Sequence, residues 1–188
     1  NRVGISIDSV VCSVRQTQKK WGGTILYTQN STSLSEIAKI TNHQSNNLYA
    51  ENIFLYLSLQ NETNKICTNG NSHIAITSFW KEKGVDTKHI VDILEYMQKK
   101  SSHSRAFIES IPIAGKKGTV VNFMKNTPLT GKAHVKSGSM ERVQNYAGYI
   151  QKGDKWYAFC IMVSNFGGQR GNVIKQISTL LNEVMSTL

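Results

Sequence analysis

The fold is decided by one stretch in the second half of the chain, residues 146–163, which read YAGYIQKGDKWYAFCIMV. Two apolar runs, Tyr146–Ile150 and Trp156–Val163, flank the polar segment Lys152-Gly153-Asp154-Lys155. Aromatic and β-branched residues are enriched in strands, and a Gly beside an Asp in a short polar gap favours a tight turn. The stretch therefore predicts an antiparallel β-hairpin.

Helices are predicted on both sides of this hairpin. After it, one apolar stripe recurs at helical spacing and comprises Val173, Ile174, Ile177, Leu180, Leu181 and Val184. Before it, a capping box at Ser33–Glu36 predicts the start of a helix. Three further helical patterns follow at about residues 47–59, 72–83 and 89–100, and Ala133–Lys136 is predicted to be extended. Helices, then a hairpin, then a helix predict an α+β fold with an antiparallel sheet flanked by helices.

Composition sets outer limits on the class of protein. The 188 residues suit one domain with a real core, and no apolar run is long enough to span a membrane. The net charge of +10 is compatible with a nucleic acid or with a carboxylate- or phosphate-rich partner such as a bacterial envelope. Basic residues are spread along the chain, and Trp21, Trp80 and Trp156 do not sit in basic clusters. We therefore expect no nucleic-acid partner.

The spacing of the cysteines and histidines predicts neither a metal site nor a disulfide framework. The cysteines Cys12, Cys67 and Cys160 are odd in number and far apart, so we read them as small apolar residues. The five histidines also lack the spacing of metal ligands. No metal site is predicted.

Two polar segments are candidates for chemistry. The first, residues 42–47 (NHQSNN), precedes an apolar helix, so its ordinary interpretation is helix capping. The second, residues 136–140 (KSGSM), has the ordinary interpretation of a strand end and a turn. In functional terms, the first offers a hydroxyl and an amide. The second offers a cation, a hydroxyl and a Gly that lets a ligand lie against the strand backbone.

Taken together and in this order, the two segments resemble a known family. The family is that of the DacB-like D-Ala-D-Ala carboxypeptidases/endopeptidases, which are low-molecular-mass penicillin-binding proteins. Residues 41–51 (TNHQSNNLYAE) resemble the SxN region of this family. Residues 136–149 (KSGSMERVQNYAGY) resemble its KTG/KSG strand. Residues 33–36, 113–116, 127–129 and 159–166 continue the likeness. The resemblance covers about residues 31–188 and implies a β-lactamase/transpeptidase-like fold.

The resemblance also implies an activity and roles for individual residues. The activity is hydrolysis of the D-Ala-D-Ala bond of peptidoglycan stem peptides through an acyl-serine intermediate, with β-lactams as inhibitors and neither metal nor cofactor. Among the catalytic residues, Ser45 would relay a proton, Asn47 would bind the substrate amide and Lys136 would supply positive charge. On the substrate-binding strand, Ser137 would bind the substrate carboxylate, Gly138 would leave room for the substrate, and the Ser139 N–H would be an oxyanion donor.

One family motif is missing before Ser45. The nucleophilic SxxK should precede SxN, yet the one match in the chain is Ser78-Phe79-Trp80-Lys81, which follows it on an apolar segment. We therefore reject Ser78 as the nucleophile. We expect residues 31–188 to be the C-terminal part of an incomplete catalytic domain and residues 1–30, predicted as strands, to be the tail of an inserted β-rich region.

The function predicted for the parent protein is that of an exported, periplasmic or extracytoplasmic carboxypeptidase without a membrane span. This chain alone should be inactive. The alternative is a non-catalytic module of the same fold that binds peptidoglycan or a partner. An SxxK motif upstream of the chain would favour the enzyme.

Overall fold

The computed structural model describes Tyr27 and residues 30–60, 68–86 and 88–188. The chain divides into two compact units, residues 1–31 and residues 32–188, and every helix and strand given below belongs to the second. The strands predicted within residues 1–30, together with Cys12 and Cys67, lie outside the described residues.

Six α-helices and three strands make up the described part of the chain. The helices are α1 (Leu34–Gln44), α2 (Asn47–Leu57), α3 (Asn69–Glu82), α4 (Ile90–Lys99), α5 (Ser104–Ser110) and α6 (Arg170–Thr187). The strands are β1 (Ala133–Met140), β2 (Val143–Lys152) and β3 (Lys155–Ser164), and short 3-10 helices occupy Ser58–Gln60 and Gly118–Val120. The α+β prediction is confirmed.

The start of α1 follows the predicted capping pattern in one of its two bonds. Ser33 is the N-cap, and its hydroxyl accepts from the backbone N–H of Glu36 at 3.3 Å. A capping box also calls for a return bond from the Glu36 side chain to the Ser33 backbone N–H. In the structure the Glu36 carboxylate lies instead 3.9 Å from the Lys39 ammonium, one turn further along the helix. The start of α1 is therefore capped by the bond between the Ser33 hydroxyl and the Glu36 backbone N–H.

The sheet is antiparallel throughout, in the order β1-β2-β3. The hairpin predicted from residues 146–163 is β2–β3, with Lys152 paired to Lys155 across its turn. Gly153 in that turn has φ +58°, a left-handed conformation that glycine adopts without strain. The register then places Tyr149 opposite Ala158, so that both lie on the same face of the sheet.

Strand β1 is longer than the sequence predicts. The extended segment was expected to end at Lys136, with a turn over the following residues. In the structure β1 continues to Met140, and the turn falls at Glu141 and Arg142. Small polar residues such as Ser137 and Gly138 have low strand propensity, but their backbone pairs with β2 and this pairing decides their conformation.

One face of the sheet packs against α6. Buried Val135, Tyr146 and Ile150 share a core with four helix residues: Val173, Ile177, Leu181 and Met185. The predicted stripe is therefore partly wrong, because Leu180 and Val184 are exposed and Met185 takes their place in the core. The helix packs through a narrow i, i+4 row rather than a broad face.

The opposite face of the sheet packs against α4 and α5. Tyr149 is fully buried there beside Leu94 and Ile111, and its hydroxyl donates to the Leu94 carbonyl at 2.6 Å. Burial raises the pKa of this phenol. The helix α5 was not predicted, because its seven residues are too few to show helical periodicity.

Within the described part of the chain, no helix is both long and apolar enough to cross a bilayer.

Candidate active site

An open cleft of about 630 Å³ lies between the α1–α2 junction and the end of β1. All six predicted site residues line it: Ser45, Asn47, Lys136, Ser137, Gly138 and Ser139. Residues about ninety positions apart in the chain therefore meet at one surface. The two segments selected from the sequence form opposite sides of that cleft.

At the α1–α2 junction, one residue caps a helix and its neighbours present polar groups to the cleft. Asn46 is the N-cap of α2, and its side-chain oxygen accepts from the Tyr49 backbone N–H at 3.0 Å. Ser45, at the end of α1, has φ +52°, and its backbone N–H donates to the Thr41 carbonyl. The capping expected of this segment thus falls to Asn46, which leaves the Ser45 hydroxyl and the Asn47 amide for the cleft.

The junction is anchored to the rest of the helical layer through Asn42. The Asn42 amide donates to the hydroxyl of buried Ser110 at 3.1 Å, and that hydroxyl donates to the Phe107 carbonyl at 2.7 Å. This chain of bonds ties the last turn of α1 to α5. It fixes the position of Ser45, three residues further on.

Lys136 connects the two sides of the cleft. Its ammonium donates to the Ser45 hydroxyl at 3.0 Å and to the Ser137 carbonyl at 2.6 Å. The side chain is half-buried, and this burial lowers the pKa of Lys136 below its ordinary value. A partly desolvated ammonium exerts a stronger field on a bound anion than one in open water.

The backbone of β1 presents free polar groups toward the cleft. The Val135 N–H donates to the Pro112 carbonyl, and the Ala133 carbonyl accepts from Ala114, so odd-numbered residues point their backbone groups to the outer edge of β1. By the two-residue repeat of a strand, the Ser139 N–H also points outward. Within the described residues no strand pairs with this part of the edge. The N–H is therefore available to a ligand.

Gly138 lies on the same face of β1 as Lys136. A Cβ built on it would approach nothing closer than the Asn145 Cβ, at 4.0 Å. The fold thus tolerates a side chain at this position. The missing side chain widens the cleft beside the ammonium.

The cleft lining also includes residues that the sequence analysis did not select as site residues, among them Thr119 and Asn145. The Thr119 hydroxyl lies 3.1 Å from the Ser137 hydroxyl, so these two groups share a hydrogen bond. Asn145 faces Gly138 across the β1–β2 ladder, and its buried side-chain oxygen has no partner within the described residues. Only the register could reveal Asn145, whereas Thr119 lies in the short 3-10 helix Gly118–Val120, whose sequence carries no chemical signal.

Ser78 stands apart from this site. It is exposed on α3, and it is not among the residues that line the cleft. This placement agrees with its rejection as the nucleophile. Within the described part of the chain, no cluster of His, Cys, Asp or Glu could hold a metal ion.

In chemical terms, the cleft can hold an extended chain with a negative charge. A cation, hydroxyls and an outward backbone N–H line one strand edge, while a second hydroxyl and an amide face them from the helices. Such an arrangement suits a peptide that ends in a carboxylate and lies along β1.

Comparison with known proteins gives the family. The chain matches the family model of the D-Ala-D-Ala carboxypeptidase 3 (S13) family over residues 1–184. The chain belongs to this family. The resemblance that rests on residues 41–51 and 136–149 is thus confirmed, and the S13 match begins thirty residues earlier than the resemblance did. A search of curated proteins gives no significant match.

Two solved structures share the fold of this S13 chain. Penicillin binding protein 4 (dacB) from Haemophilus influenzae, complexed with a novel β-lactam, matches with a TM-score of 0.77 and 22% identity over 89% of this chain and 45% of that one. Another structure of the same protein matches with a TM-score of 0.77 and 21% identity, covering 89% and 43%. The chain thus spans less than half the length of these structures.

Proposed function

We propose that the chain is part of a serine-type D-Ala-D-Ala carboxypeptidase that acts on peptidoglycan stem peptides through an acyl-serine intermediate. The observation that carries the proposal is the 3.0 Å bond between the Lys136 ammonium and the Ser45 hydroxyl across the cleft. Membership of the S13 family supports the reaction class.

In the proposed reaction a serine hydroxyl attacks the carbonyl carbon of the penultimate D-Ala. The C–O bond of an acyl-enzyme forms, the C–N bond breaks, and the hydroxyl proton passes through Ser45 to the departing amine. Water then hydrolyses the ester and regenerates the serine. Each half of the reaction passes through an oxyanion, which the Ser139 N–H stabilises.

The remaining roles concern substrate binding. Lys136 and the Ser137 hydroxyl bind the terminal carboxylate, Asn47 binds a substrate amide, and Gly138 leaves room for the substrate backbone. The partly buried ammonium favours a substrate that ends in a carboxylate over an amidated one. Without that anion, the partly buried Lys136 charge would be left with its two neutral partners, the Ser45 hydroxyl and the Ser137 carbonyl.

The nucleophile is proposed to lie in a segment that precedes these residues in the full-length protein. Residues 31–188 are then the C-terminal part of the catalytic domain, and residues 1–30 the end of an insertion between SxxK and SxN. Because its substrate lies outside the cytoplasm, we place the enzyme in the periplasm or elsewhere outside the bacterial cytoplasm. The shorter length relative to penicillin binding protein 4 is compatible with this arrangement.

The test is covalent labelling of the full-length protein with benzylpenicillin, followed by intact mass and peptide mapping. We expect one penicilloyl group on a serine outside residues 31–188. The Ser45→Gly variant should label far more slowly, since glycine keeps the left-handed backbone at this position and removes only the hydroxyl.

Ser78→Ala is the matched control and should label at the normal rate. A full-length protein that takes up no penicillin contradicts the enzyme proposal. Retained binding to peptidoglycan in that case would favour the non-catalytic module.

A further inference from the structure

The turn between β1 and β2 is unusual in its sequence. Met140 pairs with Val143, so only Glu141 and Arg142 lie in the turn. Arg142 has φ +55°, a conformation that disfavours any residue with a Cβ. Tight two-residue hairpins normally use Asn, Asp or Gly at such positions. The residue types of the turn therefore do not favour its conformation, which is held by contacts outside the hairpin. The Arg142 guanidinium itself donates to the Phe166 and Asn165 carbonyls, at 3.1 and 3.4 Å.

Arg170 supplies bonds that the turn sequence lacks. Its guanidinium donates to the Met140 carbonyl at 2.6 Å, to the Val143 carbonyl at 2.9 Å and to the Gln144 side-chain oxygen at 3.0 Å. It also lies over the Phe166 ring, 5.5 Å from the ring centroid. One side chain thus binds both carbonyls of the pair that closes the hairpin.

The same residue is poorly placed for its own helix. Arg170 is the first residue of α6, where a positive charge opposes the helix dipole, and no acidic residue occurs in that first turn. Within the described residues no carboxylate lies within salt-bridge distance of its guanidinium. The bonds of Arg170 therefore favour the hairpin and not the helix.

The hairpin position matters because of the residue before it. Ser139 directly precedes Met140, whose carbonyl Arg170 holds, and both line the cleft. We propose that Arg170 is a positioning residue that keeps the Ser139 N–H in place as an oxyanion donor. This inference rests on the proposed function, and it adds a residue on α6 that does not line the cleft.

The first test measures motion rather than chemistry. In full-length protein labelled with ¹⁵N-serine, the Ser139 amide should have an order parameter near the rigid value of about 0.85. In Arg170→Met it should fall below about 0.6, because the turn loses three hydrogen bonds. Arg105→Met is the matched control, since Arg105 is exposed and its guanidinium donates to Glu109 of its own helix α5.

The second test separates binding from chemistry with benzylpenicillin. Arg170→Met should lower the acylation rate constant at saturation on the order of 10- to 100-fold, because a misplaced donor fails in the transition state. The dissociation constant of the non-covalent complex should change less than about threefold, since the ligand contacts of Lys136 remain. Arg170→Lys, which keeps one donor and the charge, should fold and recover part of the rate.

Each result decides the proposal. A rigid Ser139 and an unchanged acylation rate in Arg170→Met would overturn it, as would a loss of binding equal to the loss of rate. If the unmodified protein takes up no penicillin, the proposed function fails. The order parameter then still shows whether Arg170 holds Ser139.

Discussion

At the scale of single residues, Ser45 combines a backbone task with a chemical one. Its left-handed conformation ends α1 and lets α2 begin two residues later, while its hydroxyl meets the Lys136 ammonium. A serine tolerates this conformation less readily than glycine does. Glycine at position 45 would suit the backbone conformation better, but it would remove the hydroxyl. Serine at this position therefore favours the chemistry of the cleft over the ease of the backbone.

If the full-length protein is the proposed carboxypeptidase, Lys136→Ala should raise the activation free energy for kcat/KM by about 3 kcal/mol, as losing an oxyanion donor does. Hydrolysis of a D-Ala-D-Ala peptide measures the effect. Lys132→Ala is the control, because Lys132 is exposed and does not line the cleft. Near-normal activity of Lys136→Ala would exclude its assigned role.

The stability of the protein should depend on the protonation of His43. Burial, and then the nearby charges of Lys39 and Lys117, lower the pKa of His43, and its Nε2 is buried without a partner within the described residues. The unfolded chain, with an imidazole pKa of about 6.5, then binds more protons than the folded one. The free energy of unfolding should therefore decrease as pH falls below about 6.5.

Urea unfolding at pH 7 and pH 5 measures this effect in the natural protein and in His43→Gln. The variant cannot titrate at this position, so its stability should fall less between the two pH values. His103→Gln, a substitution of an exposed residue, serves as the control. Equal pH dependence in the natural protein and in His43→Gln would refute the role of His43.

At the scale of elements, the hairpin β2–β3 was predictable because its apolar runs and turn are both local. The cleft end of β1 was not, since residues 137–139 are small and polar and only pairing with β2 makes them a strand. The contact of Lys136 with Ser45 joins residues 91 positions apart, and no local pattern encodes it. The order of the two motifs made it possible to select residues that line one cleft. Local propensities alone would have predicted a helix cap and a turn.

Gly148 should be essential for the β1–β2 ladder. A Cβ there would lie 2.0 Å from the His134 carbonyl oxygen on the neighbouring strand, and the residue has φ +152°. Gly148→Ala should therefore lower the free energy of unfolding by about 3 kcal/mol, the upper end of the usual cost of overpacking, because the neighbouring atom is backbone. Denaturant unfolding measures the loss.

Gly153→Ala is the matched control for this substitution. Gly153 also has a positive φ, of +58°, but a Cβ there meets nothing within 4 Å. Gly153→Ala should therefore lower the free energy of unfolding by about 1 kcal/mol, the cost of a left-handed backbone conformation for alanine. Similar losses in the two variants would contradict the steric explanation.

At the scale of the whole molecule, the net charge of +10 that these 188 residues contribute should act on large anionic partners more than on small ones. Binding of the full-length protein to insoluble peptidoglycan, which carries many carboxylates, should weaken at least about tenfold between 50 mM and 500 mM NaCl. Acylation by benzylpenicillin, a single anion, should change much less. Equal salt dependence of the two would show that the overall charge plays no part in recruiting the polymer.

The open edge of β1 has a consequence for the state of the protein in solution. An unpaired strand edge tends to join the edge of another molecule, and charged side chains commonly prevent this. Lys136 places its ammonium 2.6 Å from the Ser137 carbonyl, on the edge that such a neighbour would need. The lysine proposed to attract a substrate strand therefore also discourages a second copy of the hairpin, and a neutral residue in its place would make the protein more prone to self-association.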